Sequence, residues 1–247
     1  MKVRNPKTRS HLNISRKSKV LEVGGGHNPQ KRSNVVVDKF IDSNYHRSGD
    51  VKVYKNQEFI QADGENLPFK DNEFDYVICN QVLEHVEDPI KFLKEQTRVA
   101  KKGYLEAPSL IGEYLHPKES HKWLILEIDG KIIMMDKEKV SFKPSHDLGD
   151  VFLHFLPKNS IGYKILQYTH GSIHNVRYEW ENDIEVIVNP TEEKYVKYFK
   201  NTWTHNDIQS MFPKRSLFGE FTEAFKGFCF VLNGVIKSRL FTRAASK

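Results

Sequence analysis

The run "VLEVGGGHNPQKRSNVVVD", Val20 to Asp38, sets an apolar stretch directly against three glycines and follows them with a second, β-branched stretch. Such β-branched runs suit strands covered on both faces, as in parallel sheets. Eleven residues lie between Val23 and Val35, near the ~10–12 that a parallel crossover needs at minimum. The first crossover helix is therefore expected to be one or two turns at most, with Pro29 suited to its start. "EFIQAD" and "FDYVICN" read as a third and a fourth strand, and "GYLEAP" as a fifth. Before the fifth, "DPIKFLKEQTRVAKKG" reads as a helix with Asp88 as N-cap, Pro89 in the first turn and Gly103 just past its end. Strands alternating with helical connections predict an α/β fold, a Rossmann-like doubly wound and mostly parallel sheet.

After Pro108 the pattern changes. "KWLILEI-DG-KIIMMDK" places Asp129-Gly130 between two apolar runs and predicts a hairpin. "VRYEW-END-IEVIV" predicts a second pair of strands with a tight connection. "DVFLHFL", "SIGYKILQY", "TEEKYVKYFKNTW" and "NDIQSMF" read as helical, while "FKGFCFVLNGVIK" fits a strand or an amphipathic helix equally. The expected organisation is a flexible basic leader over 1–18, a ligand-binding core over 19–110, and substrate-facing additions over 111–247 that complete the sheet within the same domain.

The net charge of +6 belongs to the two ends of the chain. Residues 1–19 carry seven cations and residues 226–247 five, with no acid in either, so the body between them is net acidic. A groove tracking a polyanion through the middle is not indicated. The two cysteines, Cys79 and Cys229, make no disulfide framework, and no apolar run approaches the ~18 residues of a bilayer span. With no signal-peptide pattern at the start, the expected compartment is the cytoplasm.

A dinucleotide fingerprint fails in the glycine loop, because Pro29 stands where the third glycine belongs. Glu22, two residues before Gly24, would repel a pyrophosphate but suits a ligand carrying ammonium and sulfonium charges. At this point the chain resembles the class I S-adenosylmethionine-dependent methyltransferases. "VLEVGGG" resembles their first motif, and "ADGENLPFKDNEFDYVICNQVLEHVEDP" is similar to their small-molecule, type-11-like subgroup, with "KKGYLEAPS" resembling the strand that follows. The resemblance covers Val20 to Ser109, roughly a third of the chain.

The resemblance implies S-adenosyl-L-methionine as cofactor. Glu22, Gly24 and Gly26 would shape the pocket for its methionine half. Asp38 would accept from the ribose hydroxyls, and Asp63 from the adenine amino group, with Gly64 and Glu65 around the ring. Asn80 would line the methionine end. Other readings stay open: Glu22 as a turn cap, Asp38 as a strand-end turn residue, Asp63 before Gly64 as a turn acid. The Glu22–Asp38 spacing is shorter than the ~20 residues usual around a full helix, which makes Asp42 a second ribose candidate.

Methyl transfer needs a nucleophile aligned with the cofactor's methyl group, and an oxygen nucleophile usually needs a general base as well. His85 and His121 are the candidate catalytic residues, beside a structural role for His85 and a solvated-loop role for His121. Glu113 and Glu119 are further candidate acids or bases. Tyr114 and Trp123 are candidates to bracket a sugar or aromatic ring, or plain packing. No metal set is read, since His116 and His121 lack supporting ligands at metal spacing. The expected function is methyl transfer to a small molecule or saccharide at oxygen. The alternatives are an RNA methyltransferase using the basic tails, a non-catalytic cofactor-binding regulatory module, and a lipid methyltransferase using the basic, aromatic C-terminus. Nothing in the sequence bears on oligomeric state.

Overall fold

The backbone alternation along the apolar runs sorts the whole molecule into layers. In the computed structural model, residues 1–42 and 49–245 are described, with side chains through Lys237. The strands are β1 (Lys2–Arg4), β2 (Val20–Val23), β3 (Val35–Asp38), β4 (Glu58–Gln61), β5 (Tyr76–Asn80), β6 (Lys102–Pro108), β7 (Trp123–Ile128), β8 (Lys131–Asp136), β9 (Asn175–Glu181) and β10 (Val186–Val188). The helices are α1 (Pro89–Val99), α2 (Leu110–Leu115), α3 (Leu156–Asn159), α4 (Ile161–Thr169), α5 (Glu193–Lys200), α6 (His205–Met211) and α7 (Leu217–Ala245). Seven strands form one sheet in the order β1-β9-β6-β5-β2-β3-β4. From β4 through β6 every pairing is parallel; β9 and β1 are antiparallel additions.

Successive side chains in these strands point to opposite faces. Leu21, Val23, Val77, Cys79, Leu105 and Ala107 enter the main core together with Phe92 and Leu93 of α1. A second sheet, β10-β8-β7, covers the same face through Trp123, Ile125, Ile132 and Met134. Its other face, with Leu124, Leu126, Ile133 and Met135, packs on Tyr195, Tyr198 and Phe199 of α5. Asp129 and Gly130 turn the β7–β8 hairpin with φ of 53° and 76°, both positive as a tight hairpin turn of this kind requires.

The opposite face of the main sheet is covered by the leader. Val20, Tyr76, Ile78 and Tyr104 pack with Leu12 and Ile14, and Lys2–Arg4 pairs with β9 as the edge strand. Where the composition predicts a flexible leader, residues 1–14 are built into the sheet and its cover. Their cations meet acids: Lys2 with Glu127, Arg4 with Glu179, Lys7 with Glu223.

Three further expectations differ. No helix forms between β2 and β3; residues 24–34 run through turns. Glu22 replaces the helical hydrogen bonds, its Oε2 accepting from the Gln30 amide at 2.6 Å and the Ser33 hydroxyl at 2.7 Å. α1 ends at Val99, and Gly103 lies inside β6, where a Cβ would come within 2.6 Å of the Trp180 ring and 2.7 Å of Val77. β9 and β10 do not pair with each other. β9 joins β6 in the main sheet, whereas β10 pairs parallel with β8 in the second.

The run that fitted strand or helix equally lies in α7, which packs on α4. A Cβ at Gly227 would sit 3.2 Å from both Ile165 and Tyr168, which marks the close approach of the two helices. No helix among the described residues is long and apolar enough to cross a membrane. Of the expected basic C-terminus, the side chains of Arg239, Arg243 and Lys247 lie outside the described residues.

Gly24 has φ of 74°, and a Cβ there would come within 2.1 Å of Val82 Cγ2. Gly24→Ala is expected to destabilise the protein by about 2–5 kcal/mol through strain and overpacking together. Gly234→Ala, where a Cβ would meet nothing within 4 Å, should be neutral or mildly stabilising. Urea melts of the two variants check this, and equal midpoints would contradict the loop geometry.

His174 supplies a pH test. Its Nδ1 lies 3.3 Å from His116 Nε2 and its Nε2 3.0 Å from the Tyr163 hydroxyl. Burial, then the neighbouring His116 and Arg177, hold its pKa down at about 4. The folded state thus disfavours the charged ring, so this stability is complete above pH 6.5 and is lost as pH falls towards 4. The loss at pH 5 is on the order of 2 kcal/mol. His174→Asn should melt with a smaller drop between about pH 7 and pH 5 than the parent protein.

Candidate active site

In an open parallel sheet the ligand site lies beyond the carboxyl ends of the strands. Here β2, β3 and β5 end on Val23, Asp38 and Asn80, and β4 leads directly into Asp63. These ends open on one cleft of about 460 Å³, lined by Glu22, Gly24, Gly26, Asp38, Asp63, Gly64, Glu65 and Asn80. That size suits a nucleoside-containing ligand. His85 and His121 line the same cleft, and so does Arg9 from the leader.

The polar groups at the strand ends organise their own loops. Glu22 is 1% exposed, and burial pushes its carboxyl up while Ser33, Gln30 and Arg9 oppose the rise. Arg9 Nη1 donates to the Asn28 carbonyl at 3.2 Å and stands 3.8 Å from Glu22 Oε1. Asp38 Oδ2 accepts from the Gly26 amide at 3.1 Å, and Oδ1 from the Phe40 amide at 3.1 Å. Asp42 is exposed and does not line the cleft. Asp63 meets Lys39 Nζ at 2.7 Å and accepts from the Glu65 amide at 2.9 Å. Burial would raise the Asp63 carboxyl, but Lys39 and that amide outweigh it and hold it below the usual carboxylate range. Glu65 Oε1 accepts from the amides of Glu87 and Asp88, tying the loop after β4 to the start of α1. Gly64 has no room for a Cβ, which would approach Phe92 to 2.5 Å. Bare backbone at Gly24 and Gly64, with carboxylates at Asp38 and Asp63, fits a ligand that offers a carboxylate, ribose hydroxyls and an adenine amine.

The other end of the cleft is built by the turn Leu83–His85 after β5 and the loop before β7. The Lys122 amide donates to the Glu84 carbonyl at 2.8 Å and joins the two. His85 Nδ1 lies 2.9 Å from the Ser120 carbonyl, and His121 Nδ1 lies 2.7 Å from Glu113 Oε2. The two rings meet edge to face at 4.7 Å. Burial would raise Glu113, but His121, Lys137 and the Lys118 amide hold it below its ordinary value. Glu84, 1% exposed, lies between the histidines, with Oε1 3.9 Å from His85 Nε2 and 4.0 Å from His121 Nε2. Burial pushes Glu84 up to about 8.

Tyr114 and Trp123 are not brought to the cleft. Tyr114 is 51% exposed on α2 with its ring against Phe142. Trp123 is 8% exposed in the main core, and its Nε1 donates to the Val86 carbonyl at 2.8 Å. Sequence reasoning missed Arg9, Lys39, Glu84 and Lys118 among the lining residues. Glu84 stands beside His85 in "VLEHV", and that adjacency was the available signal.

Residues 36–105 match the family model of a methyltransferase domain. Norajmaline N-methyltransferase of Rauvolfia serpentina is 40% identical over 76 residues, 31% of this chain and 25% of the relative. The ubiquinone/menaquinone biosynthesis C-methyltransferase UbiE of Pseudomonas fluorescens is 33% identical over 101 residues, 38% of each chain. The chain therefore spans well under half the length of these relatives. A SAM-dependent methyltransferase structure from Thermotoga maritima superposes with a TM-score of 0.29 at 24% identity, over 38% of this chain and 45% of the other. The family match falls on the β3-to-β6 segment that supplies Asp38, Asp63, Asn80 and His85, with S-adenosylmethionine as the cofactor of such domains. Over this segment the chain is similar to the class I S-adenosylmethionine-dependent methyltransferases of the type-11 kind.

Proposed function

We propose that the protein transfers a methyl group from S-adenosylmethionine to a hydroxyl oxygen of a small molecule or saccharide. The observation that carries this reading is one cleft with strand-end carboxylates at one end and a carboxylate-held histidine, His121 on Glu113, at the other. The two relatives are named for transfer to nitrogen and to carbon; the choice of oxygen rests on this histidine end. Residues 19–110 bind the cofactor, and residues 111–247 face the acceptor within the same domain.

Bound S-adenosylmethionine supplies an electrophilic methyl group on its sulfonium. Asp38, aimed by its bond from Gly26, accepts from the ribose hydroxyls. Asp63 accepts from the adenine amine, with Gly64 and Glu65 bordering the ring. Glu22, Gly24 and Gly26 shape the methionine pocket, and Asn80 lines its end. His121 donates Nδ1–H to Glu113, which leaves Nε2 as the basic nitrogen that takes the acceptor's hydroxyl proton. His85 stands beside it as the second polar group of the acceptor end. An RNA acceptor finds no support in the basic start of the chain, because five of the seven cations in residues 1–19 stand within 4.0 Å of acids of the chain itself.

Calorimetric titration with S-adenosylmethionine and S-adenosylhomocysteine should give one site per chain. Asp38→Ala should weaken it about tenfold or more, the worth of a lost charged hydrogen-bond acceptor. A screen of small-molecule extract with methyl-labelled cofactor should yield a labelled acceptor, and His121→Ala should cut its turnover by roughly 10²–10⁴ with cofactor affinity kept. Absence of any heat with either nucleoside would overturn the reading. Binding without turnover on any acceptor would favour a regulatory module.

A further inference from the structure

We propose that Glu84, His85 and His121 form a divalent-metal site at the acceptor end of the cleft. Their donor atoms, one carboxylate oxygen and two imidazole nitrogens, lie within 4.8 Å of one another. The separations of 3.9 and 4.0 Å between Glu84 Oε1 and the two Nε2 atoms are about half an ångström longer than the ~3.3–3.6 Å between tetrahedral ligands at ~2.0–2.2 Å from one ion, a gap that small side-chain rotations close.

Three further observations point the same way. First, neither Glu84 oxygen has a hydrogen-bonding partner among the described residues, although the side chain is 1% exposed. A buried carboxylate of that kind demands compensation. Second, the Ser120 carbonyl can only accept, so His85 Nδ1 carries the proton and Nε2 is left as the lone-pair nitrogen. The Glu113 carboxylate imposes the same tautomer on His121. Two imidazole nitrogens thus face the Glu84 carboxyl, an arrangement that either the carboxyl's own proton or a bound cation resolves. Third, a carbonyl and a carboxylate behind the two rings are the outer contacts that orient histidines bound to metal.

Two imidazoles with one carboxylate favour a borderline transition ion of the zinc class over magnesium or calcium. Three protein ligands also leave a coordination position open towards the cleft. This consequence rests on the methyl-transfer reading. An acceptor hydroxyl bound there loses its proton to water more readily, and its oxygen then forms the new O–C bond. The methyl C–S bond breaks with its electron pair left on sulfur. With the ion bound, His121 Nε2 is a ligand, and its role as base belongs to the metal-free protein.

The test uses the full chain, stripped with chelator and titrated with Co²⁺, then with Zn²⁺ in competition. One Co²⁺ per chain with visible d–d absorption, displaced by Zn²⁺, is the expected result. Glu84→Gln and His121→Asn should weaken binding by about 100-fold or more, and Glu113→Gln, behind the ligand, by about 10–100-fold. Glu119→Gln, exposed on the same loop, should leave it unchanged. If Glu84→Gln fails to fold, Glu113→Gln and His121→Asn still decide. No bound metal in the parent protein, or equal affinity in all four variants, overturns the site. S-adenosylhomocysteine binding measured on the same samples separates the two proposals: retained cofactor binding without metal sinks this inference and leaves the cofactor reading standing.

Discussion

A single buried carboxylate carries the first crossover of this sheet. Eleven residues are too few for a full helix to leave β2 and return to β3, and a bare loop would strand its amides away from water. Glu22 solves this by accepting from Gln30 and Ser33 at once, a donor pair that holds the second half of the turn segment against β2. Other amides of the loop find partners too: Gly24 the Val37 carbonyl, Gly26 Asp38, Asn34 the Val20 carbonyl. The same bonds aim Asp38 and expose the glycine backbone on the cleft. Loop closure and ligand-site geometry are here one set of hydrogen bonds.

Much of this was legible along the chain because it is local or periodic. Strand ends announce themselves by an acid or amide near the end of an apolar run, so Glu22, Asp38, Asp63 and Asn80 are legible as residues of one sheet edge. The Asp129-Gly130 hairpin follows from two residues that tolerate positive φ. What failed to show is what depends on distant partners. The leader reads as solvated by its charge, yet Leu12 and Ile14 are enough to cap the face that Val20, Tyr76, Ile78 and Tyr104 present. β9 and β10 read as a hairpin because their connection is short, but Trp180 against Gly103 fixes β9 beside β6, and the Glu185 carbonyl starts a ladder with Ile132 in the other sheet. Trp123 has the look of a binding residue in a polar loop. "WLILEI" is apolar at nearly every position, and such a run belongs between two cores.

Glu84 shows the same limit at the site itself. Its neighbours in sequence, Leu83 and His85, suggest only the start of a turn. The loop before β7 arrives from more than thirty residues away and brings His121, with Glu113 behind it, against the turn. Only then is Glu84 cut off from water, with no donor to its side chain among the described residues. A carboxyl that is costly to bury and lacks a hydrogen-bonding partner among the described residues marks a place where something else is expected to bind.

The leader joins the two halves of the argument. A parallel sheet needs cover on both faces, and among the described residues α1 and the second sheet supply it on one side only. The N-terminal segment supplies the other, pairing β1 to the sheet edge and running back past the cleft, where Arg9 lines it beside Glu22 and Asn28. A cation there balances the buried carboxylate that closes the first loop, at a separation of 3.8 Å. The basic start of the chain therefore acts within the fold: it shields the sheet, neutralises acids on β7 and β9, and completes one wall of the cleft.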